Sequence, residues 1–185
     1  MSNAAIESPP SVALASATEA PASRDLFGKL AAWIQRAPPG DRAALARLQP
    51  HALQPHQLAA LSRALLSAGL DPQAWRAETW PRWALIAQGI ALVGHSNGRL
   101  GEQLADAGVS ESRVTKLLTS RGDAFQQLLP RVLRLMASKG AAPNWRELGD
   151  LVLKESDPTQ QEAAESLRLR IAGPYFSKLA RKAAA

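Results

Sequence analysis

The chain has 185 residues, 46% of them hydrophobic and 21% charged, which is one domain's worth of polypeptide or two small lobes around a shared core. No apolar run reaches the roughly 18 residues of a membrane span; the lack of cysteine removes disulfide and thiolate chemistry, and three histidines leave little for a metal site. Twenty-two Lys and Arg against sixteen Asp and Glu give +6, with nine aromatic residues, a balance that points to an anionic partner met through its backbone.

Residues 1–23 hold seven Ala, five Ser and three Pro, with Glu7 and Glu19 as their only charges. Such a segment cannot bury enough surface to offset its ordering and is expected to be a disordered tail. No Lys or Arg precedes the short, mildly apolar Val12–Ala17 stretch, so no secretory signal is expected and the protein is placed in the cytoplasm. Residues 24–185 keep all 22 bases against 14 acids, a net +8. The basic excess therefore belongs to the folded part.

That part carries 26 leucines and few Val, Ile or Thr, which favours helices over sheets. Leu26, Leu30, Trp33 and Ile34 form one apolar face, ended by Pro38-Pro39-Gly40. A short helix over 41–48 is expected next, then one carrying Leu58, Leu61, Leu65 and Leu66 that closes at Gly69. Thr79 is the expected N-cap of a helix through Trp83, Ile86, Ile90 and Val93, with Pro81 in its first turn and Gly94 as its stop. Further helices are expected over about 98–107, 111–120, 124–138 and 145–155, capped in the last three cases by Ser110, Asp123 and Asn144. Pro130 means that the 124–138 helix is either kinked or begins nearer Leu129. A helix opened by Asp157-Pro158 is expected to run to Gly173-Pro174, followed by a last turn or two with Tyr175, Phe176 and Leu179. The fold class is all-α: a compact helical protein of two small lobes, 24–94 and 95–185, with about eight to ten short helices.

Gly94-His95-Ser96-Asn97-Gly98 is a literal G-x-S-x-G, the form of a hydrolase nucleophile elbow. An elbow needs a strand before it and a histidine after its serine. Here the preceding residues have helical period and no histidine follows His95, so the segment reads as a turn between helices. As a phosphate loop it lacks the Gly-Lys-Ser/Thr ending, which leaves room only for an isolated phosphate contact near Arg99. His51 and His56 are five apart and bracketed by prolines, unlike ligands one helical turn apart. Glu102 with Asp106, and Glu162 with Glu165, are ordinary solvated helix decoration. No catalytic residue, metal ligand or cofactor is assigned.

The bases are better organised. On the 111–120 helix Val114, Leu117 and Leu118 define the buried stripe, which puts Arg113 and Lys116 about 60° apart on the opposite side. On the next helix Phe125, Leu128, Leu129, Val132 and Met136 are expected to be buried, leaving Arg131 and Arg134 paired in the same way. With Arg99 and Arg121 from adjoining turns, six cations line one expected surface, suited to a sugar-phosphate track that neutralises charge without reading bases. Trp75, Trp80 and Trp83 raise base stacking, but Trp83 falls on the Ile86 and Ile90 stripe, and Trp33 and Trp145 are likewise periodic with leucines. Core is the better reading for them.

Gly98-Arg99-Leu100-Gly101-Glu102-Gln103-Leu104-Ala105, Val109-Ser110-Glu111-Ser112-Arg113-Val114 with Leu117-Leu118, Leu129-Pro130-Arg131-Val132-Leu133, Asn144-Trp145-Arg146-Glu147-Leu148 and Leu167-Arg168-Leu169-Arg170-Ile171-Ala172-Gly173-Pro174-Tyr175-Phe176 follow in order over about residues 80–180. In this order and spacing the chain resembles the small subunit of the type I-E CRISPR surveillance complex, the CasB family of Cascade. The resemblance implies a non-enzymatic, all-helical subunit, present as a pair along the belly of an RNA-guided antiviral complex. It implies a basic surface against guide RNA and target DNA that helps hold the R-loop open by supporting the displaced strand, with the other Cascade subunits as partners and no membrane or small-molecule substrate. Arg113 and Arg131 fall in the matching motifs; Arg99, Lys116, Arg121 and Arg134 are chosen on helical geometry. Gly173 and Pro174, and the proline-rich stretch from Pro50 to Pro72, depart from the family's pattern. The alternative is a stand-alone helical DNA-binding regulator, built on the short helix pair around Gly108.

Overall fold

The computed structural model describes residues 26–184, so the expected 1–23 tail lies outside the described residues. Among these the chain forms nine α-helices and two single 3-10 turns, with no strand. The helices are α1 Leu26–Arg36, α2 Pro39–Ala46, α3 Pro55–Ser67, α4 Thr79–Val93, α5 Leu100–Asp106, α6 Glu111–Thr119, α7 Gly122–Ser138, α8 Trp145–Glu155 and α9 Gln161–Ala183.

The centre of the molecule is α4, which buries Trp83, Ala84, Leu85, Ile86, Ala87, Gly89 and Ile90. A helix apolar on nearly every side must be covered on every side, and α1, α2, α3, α7 and α8 all pack against it. Residues on both sides of Gly94 enter one buried cluster. Two glycines make this possible. A Cβ on Gly89 would lie 2.2 Å from the Trp145 indole, and one on Gly101 would lie 2.1 Å from the Ile171 carbonyl oxygen. Helices α4 and α5 thus approach their neighbours at distances no side chain permits. At the far end of α8, Arg82 donates to the Leu153 and Ser156 carbonyls at 3.2 and 3.0 Å, serving acceptors that the helix terminus leaves open.

Helix ends follow their local chemistry with small shifts. Helix α2 begins at Pro39, two residues earlier than expected, because a proline whose φ is already helical suits the first helical position. Thr79 is the first residue of α4 and not its cap. Similarly, α7 starts at Gly122 with Arg121 at the cap position, so Asp123 sits inside its first turn. Asn144 does cap α8, its side chain accepting from the Arg146 N–H at 2.9 Å.

Helix α7 continues through Pro130, which excludes a start near Leu129, one of the two expected arrangements. Helix α9 does not stop at Gly173-Pro174 as expected but runs 23 residues through them. Tertiary contact outweighs the local break, for beyond Pro174 the chain is still held. Tyr175 is fully buried against α5 and its hydroxyl donates to the Val109 carbonyl at 2.7 Å. Farther on, Lys178 and Lys182 both pair with Asp106, and Arg181 lies 4.0 Å from Glu102.

The hydrogen bond from the Lys178 ammonium, opposed by desolvation and reinforced by Lys182, holds the Asp106 carboxyl below the usual 3.8. A depressed folded pKa gives stability that is present above 3.8 and lost as pH falls through the folded value. Changing Lys178 and Lys182 to Met keeps their apolar stems and removes the pair. The melting-temperature gap between this variant and the natural chain should be open at about pH 7 and should close in strong acid, at about pH 2. A gap of constant size across that range would show that the pair does not titrate with stability.

Candidate nucleic-acid interface

Helix α6 buries Val114, Leu117 and Leu118, and α7 buries Phe125, Leu129, Val132, Leu133 and Met136. With those stripes in the core, Arg113, Lys116, Arg131 and Arg134 are all exposed. Docking of α6 beside α7 brings three of them together. Arg113, Lys116 and Arg131 line a groove of about 380 Å3 floored by Leu128, Val132 and Leu135, and no acidic residue lines it. Among the described residues none of the three has an ion-pair partner. Like charges held side by side raise the energy of the empty groove, and an anion placed between them relieves it.

The other three predicted cations are placed differently. Arg134, about 60° around α7 from Arg131, lines a second cleft. Arg99 is exposed at the cap position of α5. The amide just after it is not free for phosphate, because the Leu100 N–H donates to Glu147 Oε2 at 2.8 Å. Arg121 has its guanidinium engaged: Nη1 donates to the Leu118 and Ser120 carbonyls at 3.0 Å each, and Nη2 meets Glu165 Oε1 at 2.5 Å.

Beneath the α6–α7 turn lies a feature the residue pattern did not disclose. Glu155, at the end of α8, is buried and accepts from the Gly122 N–H at 2.5 Å and from the Ser156 hydroxyl at 3.1 Å. Arg168 of α9 is buried beside it, with Nη1 3.0 Å from Glu165 Oε1 and Nη2 3.9 Å from Glu155 Oε1. Its Nε and Nη2 make no hydrogen bond. Burial, and then the neighbouring Arg121 charge, press the Arg168 pKa downward, while Glu165 and Glu155 pull it back up. Glu165 is shared by Arg121 and Arg168, so one exposed acid and one buried acid seat the turn from which α7 departs. The pairing spans 13 residues between Glu155 and Arg168, which only the docking of α8 on α9 creates.

The G-x-S-x-G segment is tied to the start of α8. Ser96 Oγ donates to the Ala142 carbonyl at 2.7 Å and accepts from Gln103 Nε2 at 2.9 Å, while His95 Nδ1 accepts from the Trp145 N–H at 3.2 Å. Asn144 Nδ2 donates to the Gly98 carbonyl at 2.5 Å and Trp145 Nε1 to the Gly94 carbonyl at 2.8 Å. The serine proton and the imidazole acceptor are thus both spent on holding a turn. Trp83 is buried and stacks between Phe27 and Trp75, at centroid distances of 5.8 and 5.6 Å, and Trp80 meets Trp75 edge-on at 5.7 Å. These rings pack the α1–α4 corner. Among the described residues no group of three His, Asp or Glu is disposed to hold a metal ion, and no helix is long and apolar enough to cross a membrane.

An all-helical protein with a cationic groove between two consecutive helices is the class that fold and site define. Residues 41–176 match the family model described as CRISPR-associated protein Cse2. The chain belongs to that family, the small subunits of the type I-E CRISPR Cascade complex. Comparison with curated protein sequences gives no match, and comparison with solved structures gives none either.

Proposed function

We propose that this Cascade subunit binds nucleic-acid backbone without reading sequence and stabilises the R-loop by supporting the displaced DNA strand. The observation that carries this reading is the groove where Arg113, Lys116 and Arg131 converge with no acid among its lining residues. Arginine and lysine on an apolar floor suit phosphates, which position a strand but carry no sequence information. Arg134 continues the track over α7, Arg99 offers an outlying contact, and Arg121 joins if a phosphate displaces Glu165. Guide RNA, target DNA, the other Cascade subunits and a second copy of this chain are the partners, in the cytoplasm. The role is non-catalytic.

Exchange of a DNA duplex for an RNA–DNA duplex is nearly balanced, so modest backbone contacts tip it. Assembled complex carrying Arg113→Ala, Lys116→Ala, Arg131→Ala and Arg134→Ala together should therefore form fewer R-loops on a matched target. Its displaced strand should also be cut faster by a single-strand nuclease. Undiminished R-loop formation by this complex overturns the proposal.

A further inference from the structure

Across α7 from the cationic groove lies a larger cleft of about 600 Å3, bounded by the turn at 48–52, α4 and the 123–134 stretch of α7. Its α7 wall carries Asp123, Gln126, Gln127, Pro130 and Arg134. At 100° per residue Arg134 is about 60° around the helix from Arg131, so one helix ridge separates the two depressions. His51 Nε2 and Gln126 Oε1 are 2.7 Å apart, which ties the 48–52 turn to α7 and holds the cleft's walls together.

The two depressions differ in charge. The groove has three cations and no acid among its lining residues. The cleft has one cation, Arg134, and one acid, Asp123, about 16 Å apart along α7, together with His51, neutral side-chain amides and the apolar rings of Pro50 and Pro130. A phosphate is favoured in the first. An uncharged group with a flat face and a hydrogen-bonding edge is favoured in the second, and the cleft's volume lies within the roughly 300–1,000 Å3 of small-molecule sites.

We propose that the cleft is a base-holding subsite, a reading that rests on the groove as the backbone track. A nucleotide of single-stranded nucleic acid lays its phosphate near Arg131 and Arg134 and turns its base over α7 into the cleft. There the ring lies against proline, and Gln126, Gln127 and Asp123 meet its edge. Glutamine amides offer both donor and acceptor, and a carboxylate accepts from an exocyclic amine such as that of cytosine.

The test uses the full chain and two labelled single strands of equal length, an oligodeoxycytidine and its abasic counterpart, which carry the same phosphates. The cytidine strand should bind at least about fivefold tighter, the lower end of what a good base contact gives. That ratio should fall towards one in Gln126→Ala/Gln127→Ala, and substantially in Gln127→Ala alone, which leaves the His51 tie intact. Equal binding of both strands with a steep salt dependence overturns the subsite but leaves the backbone track standing. Loss of salt dependence for both strands overturns the track. A fivefold ratio that persists in the double variant overturns the assignment of these residues. So does a double variant that no longer enters Cascade while the natural chain binds both strands equally, for the cleft would then hold a protein neighbour.

Discussion

With Arg113, Lys116, Arg131 and Arg134 changed to Ala, binding of single-stranded nucleic acid by the full chain should lose most of its salt dependence. Each phosphate neutralised on a single strand contributes about −0.7 to the slope of log K against log salt, so four to six contacts give about −3 to −4. Removing four leaves none to two contacts, a slope between about 0 and about −1.4. The groove residues and Arg134 make no ion pair among the described residues, so the substitutions break no salt bridge and the fold should persist. Helical content and melting temperature measured alongside check this. A natural chain with a flat salt dependence, or a variant that keeps the full slope, removes the backbone interface from α6 and α7. Sequence-specific duplex binding by the isolated chain would instead favour a regulator.

Trp145→Ala should be the most damaging single truncation. The indole is fully buried, occupies the notch left by Gly89, and donates to the Gly94 carbonyl. Truncating a buried aromatic of this size costs about 3–5 kcal/mol through lost transfer energy and the cavity left behind, and here it also leaves a carbonyl without its partner. For a chain of this length that corresponds to a melting temperature lower by about 10 °C. Gly89→Ala should be destabilising too, because its Cβ would stand 2.2 Å from the ring. In the Trp145→Ala background that penalty should largely vanish, since the two changes share one contact. Thermal melts of the two single variants and the double variant provide the test. Additive effects would show that the notch does not couple them.

The helices were legible because leucine spacing states which face is buried: Val114, Leu117 and Leu118 in α6 are the residues the structure encloses. The outward direction of Arg113, Lys116, Arg131 and Arg134 follows from the same spacing. Which outward residues share a groove was not legible. Periodicity gives each helix a face but not its neighbour, and the pairing of Arg121 with Glu165 spans 44 residues. The end of α9, expected at Gly173-Pro174, was misread for a related reason. Proline and glycine report local backbone cost, whereas Tyr175 on Val109 and Lys178 on Asp106 supply tertiary contact beyond Pro174. Leu128 was read as core with its neighbours, yet it is only half-buried and forms part of the groove floor.

The buried Arg168 has a consequence for the longest helix. The face of α9 that meets the core is Ala164, Leu167, Arg168, Ile171 and Tyr175, largely apolar and therefore tolerant, by itself, of sliding. A slide of one turn, about 5.4 Å, would carry the guanidinium, together with Glu165 of the same helix, away from Glu155 of α8. It would leave the buried Glu155 carboxylate without its cation, at a cost of several kcal/mol. Neighbouring registers are closed by that cost, and the pair acts as an index mark that lets a 23-residue helix seat in one position.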